Sequence, residues 1–175
     1  MVEDIQGLKR GGGNWEAAFL VTHRLVDEDL KHLGFPVAVI RPKNLTLGFE
    51  SEGGGGGGGE ISADEVERAV SQVLRQSGLA SGSAAGLAAP EADAGKDALA
   101  AFAENSRLPF EWIAPERLQA VSDPPNAGGV ECASEAAAIL ASGGESRRNS
   151  LIVPESRVGR IALAVGLIPP RAREA

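Results

Sequence analysis

The chain has 175 residues, of which 43% are hydrophobic and 23% are charged, and its formal net charge is −7. These values predict one soluble globular domain and exclude a membrane protein, because no apolar run approaches the ~20 residues that span a bilayer. Nucleic-acid binding is disfavoured, since it requires basic side chains clustered on one face.

The cysteine content and the amino terminus bear on the compartment. Cys132 is the only cysteine, so the chain forms no internal disulfide and offers no second thiolate to a metal. The first residues, MVED, are acidic and lack the basic and apolar regions of a signal peptide. We therefore expect a cytoplasmic protein without a metal site of its own.

Three short apolar segments precede a run of glycines. They cover residues 17–22, 36–40 and 45–49 and predict buried strands, with a helical turn over 27–33 between the first two. The glycine run, residues 53–59, then separates the third strand from a helix. In one interpretation, the exposed backbone amides of this run and the dipole of the helix bind an anion. In the other, the run is a flexible loop that tolerates changes in length. The run does not end in Gly-Lys-Ser/Thr, so a nucleotide-binding loop is not supported.

The rest of the chain alternates helices with strands. Ser62 and Glu65 form a capping-box pattern, and Gly78 ends the helix that follows. The later elements are a strand near 86–89, a helix over 96–105, a strand over 108–113, helices over 115–121 and 134–141, and strands at 150–153 and 160–165. This alternation predicts an α/β fold, a three-layer α/β/α sandwich around a largely parallel or mixed sheet.

Five stretches follow one another in an order that is typical of one family. They are VIRPKNLTLGF (39–49), ISADEVERAVSQVLRQSGL (61–79), LAAFAENSRLPFEWIAPERLQAV (99–121), GGVECASEAAAILASGG (128–144) and LIVPESRVGRIALAVG (151–166). In this order they resemble the C-terminal domain of the CbiG/CobE family of cobalamin (vitamin B12) biosynthesis proteins. The resemblance implies a family domain over 36–168, preceded by a remnant of the foregoing segment of longer members (1–35) and followed by a tail (169–175).

The resemblance also implies a function. CbiG is cobalt-precorrin-5A hydrolase, so the implied activity is opening of the lactone of this cobalt-corrinoid with release of acetaldehyde. The cobalt belongs to the substrate, no cofactor is expected, and other enzymes of the pathway are further candidate partners. Two alternatives stay open: a non-catalytic corrinoid-binding or partner module of the CobE type, and a decayed member that has lost its site.

Departures from the family pattern support these alternatives. The Cys-Arg turn that members carry after the first strand of the domain is replaced by Glu50, Ser51 and Glu52 followed by the glycines. Asp93 and Glu155 stand where members commonly have a lysine. The loss of basic side chains disfavours binding of an acidic corrinoid.

Candidate site residues follow from the resemblance and from the position of loops, because open α/β sheets bind ligands at the carboxyl ends of their strands. Glu135, which matches a family glutamate, and Glu50 are the catalytic candidates, with helix capping and simple solvation as the alternatives. The substrate-binding candidates are Gly53, Gly54, Gly59, Lys96, Cys132, Ser134 and Arg157.

Two of these candidates have a further interpretation. Cys132 precedes a helix and would be either a thiol of low pKa or a small buried side chain. Arg157 belongs to a basic stretch that forms either an anion patch or a solvated face. Its other members are Arg147, Arg148, Arg160, Arg171 and Arg173.

Overall fold

A computed structural model describes residues 16–52, 60–122, 132–144 and 150–169 of the chain. In chain order the strands are β1 (Ala18–Val21), β2 (Val37–Ile40), β3 (Leu45–Ser51), β4 (Ala84–Pro90), β5 (Phe110–Ile113), β6 (Leu151–Val158) and β7 (Ile161–Leu167). The helices are α1 (Asp27–Leu30), α2 (Ala63–Gln76), α3 (Lys96–Ser106), α4 (Pro115–Ser122) and α5 (Ala133–Ala141), with a short 3-10 turn at Ser81–Ser83.

Five strands form a mixed central sheet in the order β5-β4-β3-β7-β6. The strands β3, β4 and β5 are parallel, whereas β7 runs antiparallel to both β3 and β6. Leu45, Leu47 and Phe49 alternate along β3 and pack against α2 and α3 on one face of the sheet. Helices α4 and α5 cover the other face, so the predicted three-layer α/β/α sandwich with a mixed sheet is confirmed.

Helix α2 begins and ends where the sequence predicts. The Ser62 hydroxyl accepts a hydrogen bond from the Glu65 amide at 3.3 Å, and the Glu65 carboxylate accepts one from the Ser62 amide at 2.8 Å. Gly78 follows the helix with a φ of +65°, in the left-handed region that glycine adopts without strain. Both predicted signals are therefore confirmed.

The two strands nearest the amino terminus correct a prediction. Segments 17–22 and 36–40 do form β1 and β2, but these pair with each other in a separate parallel sheet. One face of this small sheet packs on α1, which is shorter than the predicted turn. On the other face the side chain of Phe19 is 77% exposed and that of Ile40 is 49% exposed, so these strands are buried on one side only.

Strand β6 is longer than the sequence predicts. The strand predicted over 150–153 was expected to end in a loop through Pro154, yet β6 continues to Val158. Pro154 is tolerated because β6 lies at the edge of the sheet. On its open side no strand of the described residues is paired with it, so the missing amide donor of proline costs no hydrogen bond there. The pairing of β6 with β7 shifts between Val153 and Ser156, and this irregular stretch contains Glu155.

Candidate functional site

Helix α5 approaches the sheet closely because two glycines lie beneath it. A Cβ atom at Gly48 of β3 would overlap the Ser134 carbonyl oxygen and the Ala138 amide nitrogen, and one at Gly166 of β7 would lie 2.5 Å from the Ala138 carbonyl oxygen. The Thr46 hydroxyl donates a hydrogen bond of 2.9 Å to that same carbonyl. The first turn of α5 is thereby fixed at the carboxyl end of β3.

At this end of α5 several polar side chains converge on the carboxylate of Glu155. The Ser134 hydroxyl donates to it at 3.1 Å, the Arg157 guanidinium donates at 2.9 Å, and the Cys132 thiol is a third donor. Burial raises the pKa of Glu155, but the three hydrogen bonds together outweigh burial and hold this pKa below its usual value. Glu155 is therefore an ionised carboxylate that keeps 16% of its side chain exposed.

Two further carboxylates take part in this arrangement, which we call the Glu155 cluster (Glu52, Cys132, Ser134, Glu135, Glu155, Arg157). Glu135 is only 3% exposed, and its carboxylate accepts a hydrogen bond of 3.0 Å from the backbone amide of Glu155. Arg157 also forms an ion pair with Glu52, just after the end of β3. Strand β6 is thus tied to α5 through the backbone amide of Glu155 and to the end of β3 through the side chain of Arg157.

The thiol of Cys132 is not activated. Burial raises its pKa first, followed by its hydrogen bond to Glu155 and the charges of Glu155, Glu135 and Glu50, to a value of about 11. The low-pKa interpretation of this cysteine is therefore wrong, because burial, the hydrogen bond to Glu155 and the negative charges around the thiol all raise its pKa. The thiol stays protonated near neutral pH and serves as a hydrogen-bond donor.

The structure brings several predicted site residues together and separates one from them. Cys132, Ser134, Glu135 and Arg157 meet in the Glu155 cluster, and Glu50 lies close enough for its charge to act on Cys132 and Arg157. Lys96 belongs instead to the first turn of α3, on the opposite face of the sheet, with its ammonium 4.9 Å from the centre of the Trp112 ring.

Asp93, which stands where family members commonly carry a lysine, has a structural role. Its carboxylate accepts hydrogen bonds from the Ser51 amide at 2.8 Å and from the Gly95 amide at 2.7 Å. It thereby joins the end of β3 to the start of α3.

Some predicted residues lie outside the part of the chain that the structure describes. These are Gly53, Gly54 and Gly59 of the glycine run and the arginines Arg147, Arg148, Arg171 and Arg173. The other two members of the basic stretch form ion pairs, Arg157 with Glu52 and Glu155, and Arg160 with Glu65 at 3.9 Å.

Two negative findings apply to residues 16–52, 60–122, 132–144 and 150–169. No helix in these ranges has the length and apolar character needed to cross a membrane. The same residues contain no group of three or more histidine, cysteine, aspartate or glutamate side chains placed to hold a metal ion.

The fold and the position of the cluster define an α/β sandwich domain with a polar site at the carboxyl ends of its parallel strands. The sequence profile of one family, described as Cobalamin synthesis G C-terminus, matches residues 54–166, which is more than half of the chain. The chain belongs to this family, as its resemblance to the CbiG/CobE C-terminal domain predicts.

Two solved structures have the same fold. The cobalamin biosynthesis protein chiG from Agrobacterium tumefaciens str. C58 is 25% identical, with a TM-score of 0.56 over 72% of this chain and 99% of that chain. CobE, a protein from the cobalamin (vitamin B12) biosynthetic pathway, is 18% identical, with a TM-score of 0.57 over 74% of this chain and 94% of that chain. No functionally curated protein matches the sequence.

Proposed function

We propose that this chain acts on a cobalt-corrinoid intermediate of cobalamin biosynthesis, opening the lactone of cobalt-precorrin-5A with release of acetaldehyde. Membership of the family supports the pathway. The observation that carries the reaction type is the Glu155 carboxylate, which stays ionised and partly exposed at the edge of the sheet where open α/β folds bind ligands. The cobalt would arrive within the substrate.

Lactone opening requires a group that takes a proton from water. The water oxygen adds to the lactone carbonyl and the acyl–oxygen bond breaks, which leaves a carboxylate and a two-carbon fragment that carries the freed hydroxyl and is still bonded to the macrocycle. The hydroxyl then loses its proton and becomes the aldehyde carbonyl as the carbon–carbon bond to the macrocycle breaks. The macrocycle keeps the electron pair of that bond and takes up a proton, and the fragment leaves as acetaldehyde. An ionised carboxylate can accept the proton, and a positioned base of this kind contributes ~10²–10⁴-fold to rate. Glu50, Glu52, Glu135 and Glu155 are the carboxylates that the structure describes around this end of α5, and Arg157 is the cation beside them.

A non-catalytic corrinoid-binding module of the CobE type is the second candidate function. One observation favours it: Arg157 is held by Glu155 and Glu52 rather than turned toward a substrate carboxylate. Such a module would bind the corrinoid through its macrocycle or backbone donors and would leave the lactone intact.

The test is to incubate the purified chain with cobalt-precorrin-5A while measuring acetaldehyde release and the absorbance spectrum of the corrinoid. Glu155→Gln removes the ionised carboxylate, and Asp64→Asn on the exposed side of α2 serves as the matched control for loss of one charge. The proposal expects acetaldehyde from the unmodified chain and the control, with ~10²–10⁴-fold less from Glu155→Gln.

Other results would reject the hydrolase. A spectral change on binding without acetaldehyde supports the binding module instead. If neither acetaldehyde nor a spectral change is detected, although circular dichroism shows that the chain is folded, the result supports the decayed member.

A further inference from the structure

The resemblance makes Glu135 a catalytic candidate, but its position in the fold points to another role. The residue is only 3% exposed, which leaves little of its carboxylate accessible to a substrate at the edge. Its carboxylate oxygen instead lies 3.0 Å from the Glu155 amide nitrogen. Glu155 has the partly exposed carboxylate, and Glu135 holds the backbone that carries it.

We propose that Glu135 is a positioning residue, which fixes the irregular stretch of β6 so that the Glu155 carboxylate faces the carboxyl edge of the sheet. This inference rests on the proposed function, because it names Glu155 as the group that would take the proton from water.

The local structure of β6 explains why a positioning residue is needed. Pairing with β7 shifts between Val153 and Ser156, and such irregularities redirect side chains beside functional sites. Within this stretch the Glu155 amide is bound by a side chain rather than by the partner strand. Without that bond a part-buried amide would lose its acceptor, and β6 would rearrange to satisfy it.

The directions of the hydrogen bonds show how Glu155 is oriented. Glu135 fixes the backbone of Glu155, while Ser134 and Arg157 donate to its two carboxylate oxygens, at 3.1 and 2.9 Å. Ser134 and Glu135 are neighbours in the first turn of α5, so one helical turn holds both the backbone and the side chain of Glu155. The position of Glu155 therefore follows that of α5.

Two substitutions of Glu135 separate the reach of its side chain from its charge. Glu135→Gln keeps an oxygen that can accept from the Glu155 amide but removes the charge. Glu135→Asp keeps the charge but is one methylene shorter, so its carboxylate falls short of that amide. A positioning role requires reach, whereas a catalytic base requires charge.

The only cysteine of the chain supplies a readout that needs no substrate. The Cys132 thiol is hydrogen-bonded to Glu155. The titration of this thiol, measured through the ultraviolet absorbance of the thiolate, therefore reports whether Glu155 is in place. Glu155→Gln should lower its pKa from about 11 toward the ordinary value of 9.0. Glu135→Asp should lower it in the same way, whereas Glu135→Gln should lower it less, through loss of the Glu135 charge alone.

Acetaldehyde release should follow the same pattern. We expect Glu135→Gln to retain it within ~3-fold and Glu135→Asp to lose about 100-fold, the cost of misplacing a reacting group by ~1 Å. Ser62→Ala, which weakens α2 without touching the Glu155 cluster, is the control for general destabilisation and should leave the Cys132 titration unchanged.

Three results would overturn the proposal. The first is a loss of acetaldehyde release in Glu135→Gln as complete as in Glu155→Gln, which would make Glu135 itself the base. The second is a Cys132 titration of Glu135→Asp that matches that of the unmodified chain. If neither variant folds, amide hydrogen exchange in the unmodified chain decides: slow exchange at Glu155 supports the bond to Glu135, and exchange as fast as in an open loop rejects it. A titration pattern as expected, in a chain that releases no acetaldehyde, supports the positioning role and rejects only the proposed function.

Discussion

The close approach of α5 to the sheet predicts a large effect of adding one methyl group at Gly48. In Gly48→Ala the new Cβ would overlap the Ser134 carbonyl oxygen and the Ala138 amide nitrogen and would lie 2.9 Å from the Ala138 Cα. All three are backbone atoms of a helix, which cannot turn away as a side chain would. Relief requires α5 to move outward by ~1 Å or more, against a core packed as densely as a crystal.

The expected loss of stability follows from that displacement. Overpacking a core by a methyl group costs about 1–3 kcal/mol, and a clash with helix backbone lies at or above the upper end of this range. A loss of ~3 kcal/mol is a large share of the ~5–15 kcal/mol by which domains are stable. For a chain of this length it corresponds to a fall in Tm of about 6–12 °C.

Urea denaturation measures this loss, and Gly86→Ala is the matched control. Gly86 lies in β4 of the same sheet, and a Cβ there would have its nearest neighbours at 3.4 Å, in Pro109. The control should change stability by less than ~1 kcal/mol, in either direction. A stability of Gly48→Ala close to that of Gly86→Ala would refute the argument that Gly48 and Gly166 set the distance between α5 and the sheet.

Four further predictions concern single hydrogen bonds and one thiol. Ser62→Ala should cost about 1 kcal/mol in urea denaturation through loss of the helix cap, and a loss of under ~0.3 kcal/mol would contradict this. The hydrogen bond from the Ser62 amide lowers the pKa of Glu65 in the folded state. The folded state is therefore stabilised by this bond above the ordinary carboxyl pKa, and the stabilisation is lost as the pH falls through the lowered pKa. Glu65→Gln should remove this part of the pH dependence of stability. Thr46→Val should cost ~1 kcal/mol by thermal unfolding, because the Ala138 carbonyl loses one of its donors, and an unchanged Tm would show that the bond contributes nothing. Alkylation of Cys132 near neutral pH should be slow, since a pKa of about 11 rather than 9.0 makes the thiolate about 100-fold scarcer; labelling as fast as that of an unfolded control would contradict this.

The sequence was sufficient for the elements that depend on local interactions. The capping box at Ser62 and Glu65, the glycine that ends α2 and the alternation along β3 each act between residues a few positions apart. Such signals are complete within one segment, and their order along the chain also carried the resemblance to the family. The first turn of α5, with Cys132, Ser134 and Glu135, could be singled out for the same reason.

Glu155 could not be found in this way. It lies 20 positions from Glu135 along the chain, and in the sequence it registers only as an acid where relatives carry a lysine. The one available signal is its spacing of two from Arg157, which places both side chains on one face of a strand. Which helix end that face meets is decided by how α5 packs across the sheet.

What the sequence determined by itself is therefore the set of helices and strands, the family and one half of the candidate site. Three features depend on contacts between distant segments: β1 and β2 form a separate sheet, Gly48 and Gly166 let α5 lie close to the strands, and the buried Glu135 binds the Glu155 amide. Propensity, capping and hydrophobic period, by contrast, act between neighbours along the chain. Register, close packing and the charge around a buried carboxylate arise only when distant segments come into contact.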